Sequence, residues 1–255
     1  MKVTLLGTGT SVGVPRIACD CPVCRSPDPR NKRLRCSILV ECGGGTILVD
    51  TAPDLRAQAL RHDIRRVDAV LFTHGHADHL HGLDDLRCFC FERQAPIPCY
   101  GDQATLERIG RIFDYAFAPP YQNHKEALPR ISLHRIEGNF ELCGRTVEPL
   151  TVYHGRMPVL GFRFGTFAYV TDCNYIPPES LGRLRHLEML VLDALRHREH
   201  PTHFTVDQAL AIIAQVQPQR AFLTHIAHDL DHSATNAALP PGVELGYDGL
   251  VLEFA

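Results

Sequence analysis

Residues 73–80 read Thr73-His74-Gly75-His76-Ala77-Asp78-His79-Leu80. Three histidines and one aspartate fall within six positions, directly after the apolar run VDAVLF at 67–72. A short apolar run of this kind reads as a buried strand, so the cluster sits where a strand ends and a loop begins. His74 and His76 are two apart, and on extended backbone both point to one side. Neutral imidazole and carboxylate suit Zn, Mn or Fe. A polar loop with solvated histidines is the plainer reading. Four ligand-type side chains packed this closely behind a buried strand favour a metal site instead.

The rest of the chain must house such a site. Its 255 residues are enough for one large domain or two small ones. Hydrophobic residues make up 45% and charged residues 22%, the balance of a soluble globular protein. The net charge of −3 is no electrostatic footprint for nucleic acid or an anionic membrane. No apolar run is long enough to span a bilayer. The opening MKVTLLGTGTSVGVP reads as a strand and a glycine turn, not a secretory signal. The cytoplasm is therefore the expected compartment. There the 10 cysteines are better explained by metal than by disulfides.

Apolar runs predict strands at 3–6, 37–42, 46–50, 68–72 and 97–100, with helical patterns at 53–62, 84–93 and 104–113. A Pro- and aromatic-rich stretch at 113–129 has no periodicity and reads as a lid, an excursion or a dimer contact through Tyr115, Phe117, Tyr121 and His124. Further strands are predicted at 131–136, 146–153, 159–164, 167–171, 188–193, 220–224 and 250–254. Helices are predicted at 177–186 and 205–217, the latter opened by a capping box of Thr205 and Gln208. With no low-complexity linker, a single α/β domain over 1–255 is the economical reading.

His74-Gly75-His76-Ala77-Asp78-His79 resembles the HxHxDH signature of the metallo-β-lactamase superfamily. The resemblance implies a four-layer αββα sandwich, two mixed β-sheets packed between helices. It also calls for a later His, Asp and His at strand ends. His154 closes TVEPLTVYH, Asp172 closes FAYVTD and His225 closes RAFLTH. It implies that His74, His76 and His154 hold one divalent metal (Mn, Zn or Fe). Asp78, His79 and His225 then hold a second, with Asp172 bridging the ions about 3.5–4 Å apart.

A second cluster, CDCPVC at 19–24, places Cys19, Cys21 and Cys24 close to zinc-knuckle spacing. A closed structural zinc site needs four ligands; Cys36, Cys42, His228 and His232 are candidates for the fourth. A knuckle after GTGTSVGVP, and His228 three residues past His225, resemble phosphoribosyl 1,2-cyclic phosphate phosphodiesterases of the phosphonate (carbon–phosphorus lyase) pathway. That resemblance points to His228. GLDDLR at 82–87 and HPTHFTVDQAL at 200–210 resemble the same group. Quinone-cofactor biosynthesis B-type proteins share the knuckle.

His203 lies between the strand ending at Asp193 and the helix starting near Thr205. In related phosphodiesterases, transfer-RNA 3′-end ribonucleases included, a His in this position donates a proton to the leaving oxygen. An ordinary imidazole can do so near neutral pH. A helix-start histidine on backbone is the bland alternative, and His200 the weaker donor. The basic run RNKRLR at 30–35 reads by default as a solvated face. Asp84 and Asp85 suit either a helix first turn or support of the metal-binding histidines.

The function expected is hydrolysis of a small cyclic phosphate, of the phosphoribosyl 1,2-cyclic or nucleoside 2′,3′-cyclic type. The attacking group is a hydroxide shared by the two metals, with His203 and Asp78 as catalytic residues and one structural Zn in the knuckle. The rivals are a transfer-RNA 3′-end processing nuclease and a cofactor-biosynthesis protein of the quinone-cofactor B type. A small phosphorylated substrate is the expected partner, with a homodimer through 113–129 as a further reading.

Overall fold

The protein is described here by a computed structural model covering residues 1–91, 93–117 and 128–254. The strands of the first half are β1 (Lys2–Gly7), β2 (Ser37–Cys42), β3 (Gly45–Val49), β4 (Ala69–Leu71), β5 (Ile97–Gly101) and β6 (Ile131–Arg135). Then come β7 (Phe140–Leu142), β8 (Arg145–His154), β9 (Met157–Phe164), β10 (Phe167–Val170), β11 (Met189–Asp193), β12 (Arg220–Thr224), β13 (Val243–Leu245) and β14 (Val251–Glu253). The helices are α1 (Pro22–Arg25), α2 (Leu55–Arg61), α3 (Ala77–Leu80), α4 (Gln103–Ile112), α5 (Pro178–Gly182), α6 (Val206–Val216) and α7 (His232–Ala238).

Alternation along the strands decides the layering. Val3, Leu5, Ile38, Val40, Ile47, Val49 and Leu71 meet Phe162, Phe164, Phe167, Tyr169, Val191 and Phe222 in a central apolar cluster. Their neighbours Leu48, Val70 and Phe72 face the other way, onto Leu55 of α2 and Leu106 and Ile109 of α4. On the far side Ala168, Val170, Leu190, Leu192 and Leu223 pack against Val206, Ala209 and Ile213 of α6. Strands apolar on both faces belong between two covering layers. The result is helix, sheet, sheet, helix, as the resemblance implied. Each fully buried side chain of the central cluster contributes about 1.5–3 kcal/mol. Truncating Phe167, which is fully buried, to alanine would cost about 3–5 kcal/mol.

Both sheets have seven strands, in the orders β14-β1-β2-β3-β4-β5-β6 and β13-β12-β11-β10-β9-β8-β7. In the first, β3 to β6 run parallel; in the second, β10 to β13 do. The remaining pairings are antiparallel, so both sheets are mixed. The parallel strands bring successive carboxyl ends to one edge, which is where ligand-bearing loops of α/β sheets gather.

Most expected elements form, and the capping box of α6 is complete, with Gln208 N–H on Thr205 Oγ1 at 3.1 Å and Thr205 N–H on Gln208 Oε1 at 2.9 Å. The expected helix at 84–93 is instead a 3-10 helix over Leu83–Phe89. Its buried residues, Leu83 and Leu86, are three apart, which fits three residues per turn. The helix expected at 177–186 stops at Gly182. Of segment 113–129, Phe113 is buried and Tyr115 donates to Asp84 at 2.5 Å; Tyr121 and His124 lie outside the described residues. The basic run at 30–35 is not a solvated face. Arg33 is 2% exposed and donates to Thr8 Oγ1, Gly246 O and the His232 ring. Arg30 and Arg35 pair with Asp28 and Asp54. No helix among the described residues is long and apolar enough to cross a membrane.

Candidate metal centre

The centre is assembled from strand ends. Asp50 follows β3, Thr73 and His74 follow β4, His154 ends β8, Asp172 follows β10, Asp193 ends β11 and His225 follows β12. Asp50, Asp172 and His225 adopt φ of 63°, 55° and 59°. These left-handed values swing the chain sharply off the strand and are costly for residues with a Cβ. His76 caps α3, which carries Asp78 and His79.

Hydrogen bonds at Nδ1 orient three of the imidazoles. His79 Nδ1–H donates to Asp50 Oδ2 at 2.7 Å. Thr73 gives its hydroxyl proton to Asp50 at 2.8 Å, so the same oxygen accepts from His74 Nδ1–H at 3.0 Å. His154 Nδ1–H donates to Thr202 O at 3.0 Å. With Nδ1 protonated, each ring presents a bare Nε2, the usual arrangement behind a metal ligand. The buried Nε2 atoms of His74, His79 and His225 have no hydrogen-bond partner among the described residues. Buried polar atoms left this way are rare and call for an ion or a ligand.

These nitrogens converge on carboxylates. His79 Nε2 lies 3.1 Å from Asp172 and 3.3 Å from Asp78. His225 Nε2 lies 3.2 Å from Asp172 and 3.8 Å from Asp78. Ligand atoms of Asp78, His79, Asp172 and His225 all fall within 4.8 Å of one another, as do those of His154, Asp172 and His203. Asp172 belongs to both groups. His74 and His76 stand beside them, with ring centroids 5.9 and 5.2 Å from His154.

The electrostatics ask for positive charge. Burial opposes ionisation of Asp172 and Asp78, yet neighbouring imidazoles outweigh it and hold both carboxyls well below the usual range. Burial likewise opposes protonation of His225, but Asp172 and Asp78 pull its pKa up to about 9, and the same carboxylates with Asp50 raise His79. Burial dominates at His74, His76 and His154 and lowers all three. The carboxylates hold protons on His79 and His225 where a divalent cation, binding the neutral rings and the ionised carboxylates, would take their place.

His203 is buried and its Nδ1 sits 3.2 Å from Asp193 Oδ1. Its ring stacks on His225 at 4.5 Å and meets His154 at 4.6 Å. Asp193 also accepts from the backbone N–H groups of Asp172 at 3.1 Å and Phe204 at 3.0 Å. His200 is farther out, bonded to Thr202. Asp50 and Asp193 escaped the sequence reading of the site. Their one signal is a lone aspartate closing a buried apolar run, ILVD and LVLD. Asp84 pairs with Tyr115 and Arg87 rather than with a histidine, and Asp50 is the carboxylate behind His79.

In the knuckle, the sulfurs of Cys19 and Cys21 lie 3.3 Å, and that of Cys24 3.7 Å, from His228 Nδ1. Three sulfurs and one nitrogen form a closed set suited to Zn. Cys36 is bonded to Gly9 O and Thr224, Cys42 lies in the central cluster, and His232 holds Arg33. A cavity of about 260 Å³ opens beside His74 and His76. A larger groove of about 680 Å³, between Leu55, Leu60, Phe89 and Phe91, touches none of the centre's ligands.

The architecture and the strand-end centre define a metallo-β-lactamase class of protein, and the comparisons agree. The model of the beta-lactamase superfamily domain matches residues 45–226, and the chain belongs to that superfamily. The crystal structure of a new diphosphatase from the PhnP family is 44% identical with a TM-score of 0.93, covering 99% of this chain and 96% of that one. An octanoyltransferase of Porphyromonas gingivalis is 40% identical over 98% of this chain, but the chain spans only 51% of its length. The coenzyme PQQ synthesis protein B of Methylobacterium nodulans is 32% identical over 99% of both chains.

Proposed function

We propose that the chain is a metal-dependent hydrolase of phosphoric diesters acting on a small cyclic phosphate, of the phosphoribosyl 1,2-cyclic or nucleoside 2′,3′-cyclic type. The observation that carries this reading is the convergence of unpartnered Nε2 atoms on Asp78 and Asp172, with a buried His–Asp pair, His203 and Asp193, alongside. His74, His76 and His154 would hold one metal and Asp78, His79 and His225 another, with Asp172 between them. Two divalent ions there would lower the pKa of a shared water and neutralise charge on the phosphoryl oxygens. His203 supplies a proton to the departing sugar oxygen, and Asp193 holds its ring toward the centre. Cys19, Cys21, Cys24 and His228 would hold a structural Zn that leaves no position open to substrate.

The similar diphosphatase makes a diphosphate ester the natural competing substrate. The full-length similarity to coenzyme PQQ synthesis protein B supports a second reading, in which the centre serves cofactor biosynthesis. Purified protein with its metals, assayed on ribose cyclic phosphates, nucleoside 2′,3′-cyclic phosphates, diphosphate esters and a precursor transfer RNA, decides among them. Turnover of the cyclic phosphates is expected. Turnover confined to diphosphates, or to RNA with a steep salt dependence, would replace the substrate class. Turnover of none would favour the biosynthetic reading.

A further inference from the structure

The cavity beside His74 and His76 is also lined by Arg108 and Arg111 of α4. The two are three residues apart and so lie on one helix face. Arg108 crosses the metal motif itself: a Cβ on Gly75 would fall 2.9 Å from its Cδ. The glycine between His74 and His76 thus lets the arginine stem lie against the ligand loop. Both arginines are exposed. Among the described residues neither forms a hydrogen bond or ion pair. Arg30, Arg35 and Arg93, by contrast, are each tied to a carboxylate. The acidic group in the same cavity, Asp102, is occupied as the cap of α4, accepting Thr105 N–H at 2.9 Å. Its charge pushes an anion toward the arginine side.

We infer that Arg108 and Arg111 form a receptor for a second, non-reacting phosphate of the substrate, a phosphomonoester or the distal phosphate of a diphosphate. This rests on the phosphodiesterase reading for the reacting group and names what the substrate must carry besides it. Planar guanidinium groups grip phosphate oxygens through paired N–H donors, and the pair lies next to His76. The reacting phosphorus would sit at the Asp78–Asp172 centre while the second phosphate is held over Gly75. A substrate with one phosphate would leave the pair unused, so Arg108 and Arg111 set specificity and take no part in bond breaking.

The test compares ribose 1,2-cyclic phosphate with and without a 5-phosphate, and a diphosphate ester, on the metal-loaded protein. The wild type should prefer a doubly phosphorylated substrate, and whether that is the 5-phosphate or the diphosphate names the source. Arg108→Ala with Arg111→Ala should cut that preference about 10- to 100-fold, the worth of one or two charge-assisted hydrogen bonds, mainly through KM. Arg108→Lys, with Arg111 intact, should keep part of it. Equal losses on the substrates with and without the second phosphate, or an unchanged preference, would overturn the inference. Calorimetric binding of ribose 5-phosphate supplies a readout without turnover. If no diester is hydrolysed but the double variant binds ribose 5-phosphate more weakly, the arginine receptor stands and the phosphodiesterase reading falls. Unchanged binding in the variant would remove the receptor whatever the activity.

Discussion

His79 and Asp50 share a 2.7 Å hydrogen bond between two fully buried side chains. The same carboxylate accepts Thr73 N–H and its hydroxyl at 2.8 Å each, and Thr73 in turn fixes His74. One aspartate therefore orients ligands expected at both metals. Asp50→Asn should lower metal affinity or activity about 10- to 100-fold, the usual effect of losing a partner behind a ligand. Elemental analysis across a chelator series, alongside kcat, measures it. Full metal retention and full activity would show that Asp50 does no more than fill space.

His203→Ala should separate proton donation from metal binding. A sugar alkoxide needs a proton to leave, whereas nitrophenolate does not. The variant should lose about 10²- to 10⁴-fold on a ribose cyclic phosphate. It should lose far less on bis(p-nitrophenyl) phosphate, with metal content unchanged. Because His203 also lies with His154 and Asp172 in one ligand-sized group, loss of a metal in the variant would reassign it from donor to ligand.

The knuckle should show its chemistry in pH. Burial pushes the Cys24 thiol up to about 11, whereas hydrogen bonds, from the Cys21 backbone above all, lower that of Cys19. Zn binds thiolates and must displace their protons, so its affinity falls as pH falls. Zinc released to a colorimetric chelator should rise steeply on acidification. Cys21→Ser should release zinc at neutral pH and lower Tm while the centre at Asp172 keeps its metals. A variant with normal zinc and Tm but no turnover would contradict a structural role.

Asp248 gives a second pH dependence with the opposite sense from an ordinary salt-bridged aspartate. Burial raises its pKa from 3.8 to about 6, against hydrogen bonds from Thr8 and Leu34 that favour the anion. The folded state thus binds this proton more tightly than the unfolded chain. The group's contribution is largest below about pH 4 and declines as pH rises to about 6, by an amount on the order of 3 kcal/mol. Denaturant melts of wild type and Asp248→Asn across that window should show the wild type losing ground relative to the variant as pH rises. A difference constant with pH would refute the shift.

The sequence made the centre legible where ligands crowd together or close an apolar run that breaks into His or Asp, as at His154, Asp172 and His225. The structure brings those side chains to one edge because parallel strands align their ends. Asp50 and Asp193 close similar runs, but nothing local ties them to histidines 29 and 10 residues away. The run at 30–35 failed for a related reason. Charge density along the chain says nothing of Arg33, whose partners Gly246 and His232 lie 213 and 199 residues on. The three residues of β7 are too few for their alternation to stand out, and α7, HSATNAA, has no large apolar residue to mark a helical face.

The knuckle joins Cys24 to His228 across 204 residues, and β14 pairs with β1. A nascent chain that has displayed its three cysteines must therefore grow by 204 residues beyond Cys24 before His228 emerges to complete the group. Until then the thiols face the cell's reductants and oxidants unprotected, and β1 lacks one of its two neighbours. A zinc ion held by this group would in this sense be captured late on the ribosome, a clasp fastened after the cloth is woven. Cells starved of zinc would be expected to accumulate full-length but protease-sensitive protein rather than truncated fragments.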